Sequence, residues 1–168
     1  EDQKRISQDD RWKTFFLYGY GYQMPENCLR CPETTKLVEA VPGMKTAFFS
    51  ILSAGKHIPA HRGPYKGVMR YHLGLIVPSP REQCRIRVGS EFASWQEGKS
   101  LLFDDTYEHE VWNDTDGVRV VLFMDVERPM RPPAALLNKA VFTLIKLSPF
   151  VQRARQNMRN WQAKAPQR

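Results

Sequence analysis

The sequence predicts a mainly β protein: a double-stranded β-helix, a barrel of the jelly-roll or cupin-like kind, with flanking helices. Two patterns carry that prediction. Apolar residues recur with a helical period over residues 33–41 and with a period of two from Thr46 onward. The period-two segments are short and are separated by Gly, Pro, Asn and Asp turns, the rhythm of a chain folding back and forth between two sheets. A length of 168 residues, 42% of them hydrophobic, suffices for one core and fits a single domain.

Residues 1 to 10 are polar and are expected to fray. The aromatic run from Trp12 to Tyr22 reads as a strand ending in a glycine turn. Residues 33 to 41 place Leu37, Val38 and Val41 on one helical face, and Pro42-Gly43 stops that helix, which is expected to cover the outside of a sheet. Strands are then expected at 46–53, 68–77, 84–88, 92–95, 100–103, 108–113 and 118–126. In the second of these, Met69, Tyr71, Leu73, Leu75 and Val77 form an unbroken apolar face that needs a packing partner. Arg70 and His72 therefore point the other way, toward a polar pocket inside the barrel. Between 134 and 151, Leu137, Val141, Leu144, Ile145 and Ser148 recur at helical spacing with Lys139 and Lys146 among them, in a helix expected to end at Pro149. That helix is too short for the ~20 residues that span a bilayer. The division expected is a barrel over residues 1–130 and a basic, amphipathic helical tail over 131–168.

The charge is unevenly distributed. Nine of the 25 basic residues and none of the 18 acidic ones follow Glu127, so residues 1–127 carry a formal charge of −2 and the tail carries the whole excess. A basic tail on a near-neutral body points to an anionic membrane surface as its partner, and not to nucleic acid. No apolar run is long enough to be a signal sequence or a span, and with three cysteines this leads to an expected location in the cytoplasm, peripheral on the inner face of the membrane. Cys28 and Cys31 form a lone C-x-x-C without a second ligand pair, which fits ordinary reduced thiols better than a zinc site.

Three of the four histidines fall in two stretches, Ala60-His61-Arg62-Gly63-Pro64 with Arg70-Tyr71-His72, and Phe103-Asp104-Asp105 with His109-Glu110-Val111. Imidazoles from distant strands can converge on a metal, and a ferrous ion that binds oxygen needs few protein ligands and open positions. The place two residues after His61, where a carboxylate ligand would stand, is Gly63; putting Asp there is expected to tighten metal binding. Glu108 and Glu110 flank His109 on the opposite strand face and are not ligand candidates. Asp104-Asp105 reads as the turn into the His109 strand. His57 is expected in the turn after Gly55, without a role at the metal. A 2-oxoacid dianion would need cations: Arg119 offers a planar fork for a carboxylate, with Arg70, His72 and the Ser50 hydroxyl as further donors. For Arg119 and His109 to share a face in one hairpin, Val111 must pair with Arg119 and His109 with Val121.

These residues, in this order and spacing from about Trp12 to Pro129, resemble the aspartyl/asparaginyl β-hydroxylase family of Fe(II)- and 2-oxoglutarate-dependent dioxygenases, which uses two histidines without an acidic ligand. The resemblance implies that His61 and His109 hold Fe(II), and that Ser50, Arg70, His72, Arg119 and, beside the cofactor, the aromatic Tyr18 hold 2-oxoglutarate. It implies hydroxylation of an unactivated C–H with O2 as co-substrate. Two substrate classes follow from it: an acyl chain of bacterial lipid A, favoured by Asp125-Val126-Glu127-Arg128-Pro129 and the basic tail, or an Asp or Asn side chain of a protein. A barrel that binds metal and 2-oxoacid without catalysis is the third reading.

Overall fold

A computed structural model describes residues 9–164 of the chain. Ten strands run in order: β1 (Trp12–Gly19), β2 (Tyr22–Gln23), β3 (Met44–Leu52), β4 (Lys56–His61), β5 (Val68–Ile76), β6 (Cys84–Val88), β7 (Glu91–Ser94), β8 (Ser100–Phe103), β9 (His109–Asn113) and β10 (Arg119–Glu127). Helices α1 (Pro25–Arg30) and α2 (Pro32–Glu39) follow β2, and α3 (Ala134–Leu147) and α4 (Pro149–Lys164) follow β10. The strands form two antiparallel sheets, six in the order β2-β1-β3-β10-β5-β8 and four in the order β4-β9-β6-β7. The fold is the expected jelly-roll with helical cover.

Alternation along the strands builds two cores. On β10, Val121 enters a cluster between the sheets with Leu52, Ile58, Cys84, Ile86, Trp95 and Val111. Its neighbours Leu122 and Met124 face the other way and join Leu17, Cys28, Val38 and Ala47 beneath α1 and α2. Tyr71 and Leu73 of β5 pack on that second cluster and Arg70 and His72 face inward, but the expected apolar face is not unbroken: Leu75 is 38% exposed and Val77 packs on the first cluster. The β1–β2 turn places Tyr20 and Gly21 at positive φ, 51° and 75°, as a tight antiparallel hairpin requires.

Several expectations are corrected. Residues 56–61 are a strand and not a turn; Pro59 is tolerated because β4 lies at a sheet edge, within a register irregularity between Ile58 and His61. His57 is on that strand, hydrogen-bonded through Nε2 to Glu110 at 2.7 Å and stacked on Trp112. Helix α1 precedes the expected one, with Cys31 at the junction; Cys28, Cys31 and Cys84 are free thiols, in line with the expectation of reduced cysteines. Leu37 is 68% exposed and only Val38 of its helix face is buried deeply. The tail is two helices, not one: Ser148 takes an extended conformation (ψ 149°) and Pro149 opens α4 at a bend of 53°. Among the described residues no single helix is long and apolar enough to cross a membrane.

The largest correction concerns β9 and β10, which do not pair. β9 lies between β4 and β6 in the smaller sheet, and β10 between β3 and β5 in the larger one. The connection through Asp114–Gly117 crosses from sheet to sheet. Asn113 holds that crossing, its Nδ2 donating to the carbonyls of Leu52, Ser53 and Gly117 at 2.9–3.1 Å. His109 and Arg119 therefore reach the barrel interior from facing sheets.

Candidate active site

His61 ends β4 and His109 begins β9, and the two are cross-strand partners with ring centroids 4.1 Å apart. Each Nδ1 is held by the carbonyl two residues earlier, His61 by Pro59 at 2.8 Å and His109 by Tyr107 at 3.0 Å. A carbonyl can only accept, so both protons are assigned to Nδ1 and Nε2 is the lone-pair nitrogen of each ring, the tautomer that ligates a metal. His109 is 3% exposed, and burial, then the neighbouring His61, push its pKa down to about 4. It stays neutral at neutral pH, as a ligand must.

Among the described residues no group of three or more His, Cys, Asp or Glu could hold a metal. The reason a carboxylate does not follow His61 is steric. A Cβ on Gly63 would fall 1.8 Å from Oδ2 of Asp105, and the Gly63 N–H donates to the Asp105 carbonyl at 2.7 Å. A side chain at position 63 would have to displace Asp105, which already fills the space, and this works against the expected tightening of metal binding by Gly63→Asp.

The inner face of the larger sheet carries the polar groups in rows. Arg119 pairs across with Leu52, Val121 with Ser50 and Gly74, Phe123 with Phe48 and His72, and Asp125 with Thr46 and Arg70. Arg119 thus lies at one end of this face and Arg70 at the other, with Ser50 and His72 between. Arg119 is 2% exposed, packs over Trp95 at 4.7 Å, and has Nε and Nη1 without a hydrogen-bond partner. Burial pulls its pKa down to about 10. His72 is buried among Trp95, Phe103 and Phe123, and both its nitrogens lack partners. Burial, followed by the charges of Arg119, Arg70 and His109, holds its pKa well below the ordinary value. A native interior rarely leaves so many donors unmet, and a polar ligand is the simplest group to satisfy them.

At the other end, Arg70 is fixed by Asp105 Oδ2 at 2.9 Å, by Asp125 Oδ1 at 3.1 Å and by the face of Phe123 at 4.4 Å. Burial pushes the Asp105 carboxyl up despite Arg70, and its Oδ1 has no partner. Asp104 behaves as the turn residue expected, accepting from Thr106 N–H and Oγ1 at 3.0 and 2.7 Å. Asp105 does not; it is 2% exposed and belongs to the site.

A family model described as aspartyl/asparaginyl β-hydroxylase matches residues 1–129, more than three quarters of the sequence. The chain belongs to that family. Similar proteins include the ornithine lipid ester-linked acyl 2-hydroxylase of Rhizobium tropici, 52% identical over 163 residues that make up 97% of this chain and 58% of that protein. The human aspartyl/asparaginyl β-hydroxylase is 37% identical over 138 residues, 79% of this chain and 18% of that protein. The chain thus spans well under two thirds of the length of these relatives. Among solved structures, an HTH_3 family transcriptional regulator from Vibrio cholerae is similar in fold alone, with a TM-score of 0.50 and 14% identity over 73% of this chain and 55% of that one.

In this member of the family the structure gathers Ser50, Arg70, His72, Arg119, His61 and His109 around one interior, and it does not bring Tyr18 there. A bulge between Phe16 and Tyr18 turns Tyr18 to the outer face, where it donates to Glu39 and accepts from Gln23. Trp12 stands inside instead, its Nε1 donating to Ser50 Oγ at 3.0 Å. Neither Trp12 nor Asp105 was a sequence candidate. Trp12 begins an aromatic run that alternates like any strand, and Asp105 sits beside a genuine turn aspartate.

Proposed function

We propose that this chain is an Fe(II)- and 2-oxoglutarate-dependent hydroxylase acting on an ester-linked acyl chain of an amino-acid-headed membrane lipid. The observation that carries the cofactor reading is Arg119. A guanidinium buried to 2% exposure, with two of its three nitrogens unmet and no carboxylate paired to it among the described residues, costs several kcal/mol unless an anion arrives. A dicarboxylate supplies that anion and still has a second carboxylate and a keto oxygen for the far side of the pocket.

In this reading His61 and His109 hold the metal through Nε2, each ring fixed by the carbonyl on its Nδ1. Arg119 and the Ser50 hydroxyl anchor the distal carboxylate, and His72, kept neutral, offers hydrogen bonds without adding charge. Trp95, Phe103 and Phe123 wall the pocket with rings and keep water out. Arg70, clamped by two aspartates, presents a fixed cation toward the substrate side. When bound, iron and 2-oxoglutarate supply the oxidation: the 2-oxoacid loses carbon dioxide to give succinate, and O2 delivers one oxygen atom to succinate and one to a C–H bond.

The acyl substrate rests on the Rhizobium tropici relative, whose match covers 97% of this chain and so must extend past residue 129, where the family match ends. That relative shifts the preferred lipid from lipid A to an ester-linked acyl chain of ornithine-lipid type. The basic tail and a location on the inner face of the membrane are part of the same proposal. The test offers the iron-loaded protein an ester-linked ornithine lipid, a lipid A and an aspartyl peptide, and measures succinate and oxygen incorporation. Succinate coupled to hydroxylation of the ornithine lipid is the expected result. Turnover of the peptide alone would favour the protein-modifying reading, and none with any of them a non-catalytic barrel.

A further inference from the structure

We infer that the elbow between α3 and α4 closes an acyl-chain cavity over the Arg70 end of the barrel, an inference that rests on the lipid reading above. A cavity of ≈ 350 Å³, within the usual range for small-molecule pockets, lies between the barrel end and the elbow. Its two sides differ in chemistry. One is charged and belongs to the site, with Arg70, Asp105 and Asp125; the other is apolar, with Phe142 and Ile145 of α3 and Phe150 of α4.

That division fits a carbon next to an ester better than one in a peptide. A fixed cation suits the ester carbonyl, while Phe142, Ile145 and Phe150 accept hydrocarbon and would leave a peptide backbone without hydrogen-bond partners. The placement also fits. Arg70 lies at the opposite end of the inner face from Arg119, so a cofactor anchored on Arg119 leaves this end for substrate. Asp105 joins the cavity to the metal side, since its carbonyl accepts from the N–H of Gly63, two residues after His61.

The cavity is built and not a chance gap, because the elbow is bolted to the barrel. Tyr65 Oη donates to Asn138 Oδ1 at 2.5 Å and Asn138 Nδ2 donates to the Gly67 carbonyl at 3.0 Å. Gly67 is required there, since a Cβ would meet Asn138 Oδ1 at 2.0 Å. Lys45 Nζ, 3.1 Å from Glu127, lies 4.9 Å from the centroid of the Phe142 ring.

An ester-linked ornithine lipid carrying a diazirine at mid-chain, irradiated anaerobically with the iron- and 2-oxoglutarate-loaded full chain, tests this. The label is expected on the peptide holding Phe142, Ile145 and Phe150. Ile145→Trp is expected to shift the kcat/KM preference toward shorter acyl chains by about tenfold, the scale of a methylene-sized change in an apolar pocket. Ile145→Ala shifts it toward longer ones, and anaerobic affinity for 2-oxoglutarate is read alongside as a check on the fold. Labelling of barrel strands or outer leucines, with chain preference unmoved in both variants, overturns the cavity while lipid hydroxylation stands. Absence of lipid binding and turnover alongside peptide turnover overturns the functional reading and the cavity with it.

Discussion

Arg119 gives the sharpest residue-scale prediction because its burial works against the protein when no anion is present. Arg119→Met removes an unpaired interior cation, so the cofactor-free variant should melt at the same or a higher temperature, while 2-oxoglutarate binding weakens by about 2 kcal/mol or more, roughly thirtyfold. Calorimetry on the two proteins with and without the cofactor checks both halves; a less stable variant that still binds 2-oxoglutarate would contradict them. Gly63→Asp should lower the melting temperature without tightening iron, since the new side chain meets Asp105 at 1.8 Å and overpacking costs about 1–3 kcal/mol. His61, His109, Arg119, Arg70, His72 and Ser50 were legible as candidates because imidazole and guanidinium on short strands already carry a chemical meaning. The placement of Trp12 inside and of the candidate Tyr18 outside was not legible, since one bulge between Phe16 and Tyr18 exchanges inside for outside and no residue in the run announces it.

At the scale of elements, α3 and α4 carry two faces with different work. The inner face docks through Asn138 and Val151, 7% and 2% exposed, and the outer one leaves Leu136, Leu137, Leu144 and Leu147 at least 63% exposed. The docked and membrane-facing readings of the tail are therefore compatible. Basic residues held near an anionic leaflet contribute roughly 1 kcal/mol each, and the tail has no acid to oppose them. The full chain should sediment with anionic but not neutral vesicles at low salt. Leu137→Glu with Leu144→Glu should remove that binding at unchanged melting temperature, and retention of binding would assign the leucines another role. Asn138→Ala, by contrast, breaks one buried and one part-buried bond and should cost about 1–3 kcal/mol of stability. Strand periods located most of the sheet. They missed β4, whose Pro59 breaks the alternation, and α4, because Pro149 reads equally as the end of one helix and the first residue of the next.

For the whole molecule, period-two patterning and turn residues were enough for the jelly-roll class, but not for which sheet each strand joins. A hairpin and a sheet-to-sheet crossing look alike across Asp114–Gly117; the difference lies in Asn113 bonding the backbone at Leu52 and Ser53, about sixty residues away. The crossing brings His109 from one sheet to face Arg119 and His72 from the other, and the central claim is that this interior binds Fe(II) and 2-oxoglutarate together. Anaerobic titration of the protein with Fe(II) and 2-oxoglutarate, followed by visible absorption, tests it most directly. A metal-to-ligand charge-transfer band should appear with both present, be absent in His61→Ala and His109→Ala, which remain folded, and need far more 2-oxoglutarate in Arg119→Met. No band in the unaltered protein at saturating 2-oxoglutarate, or an undiminished band in either histidine variant, would contradict the account.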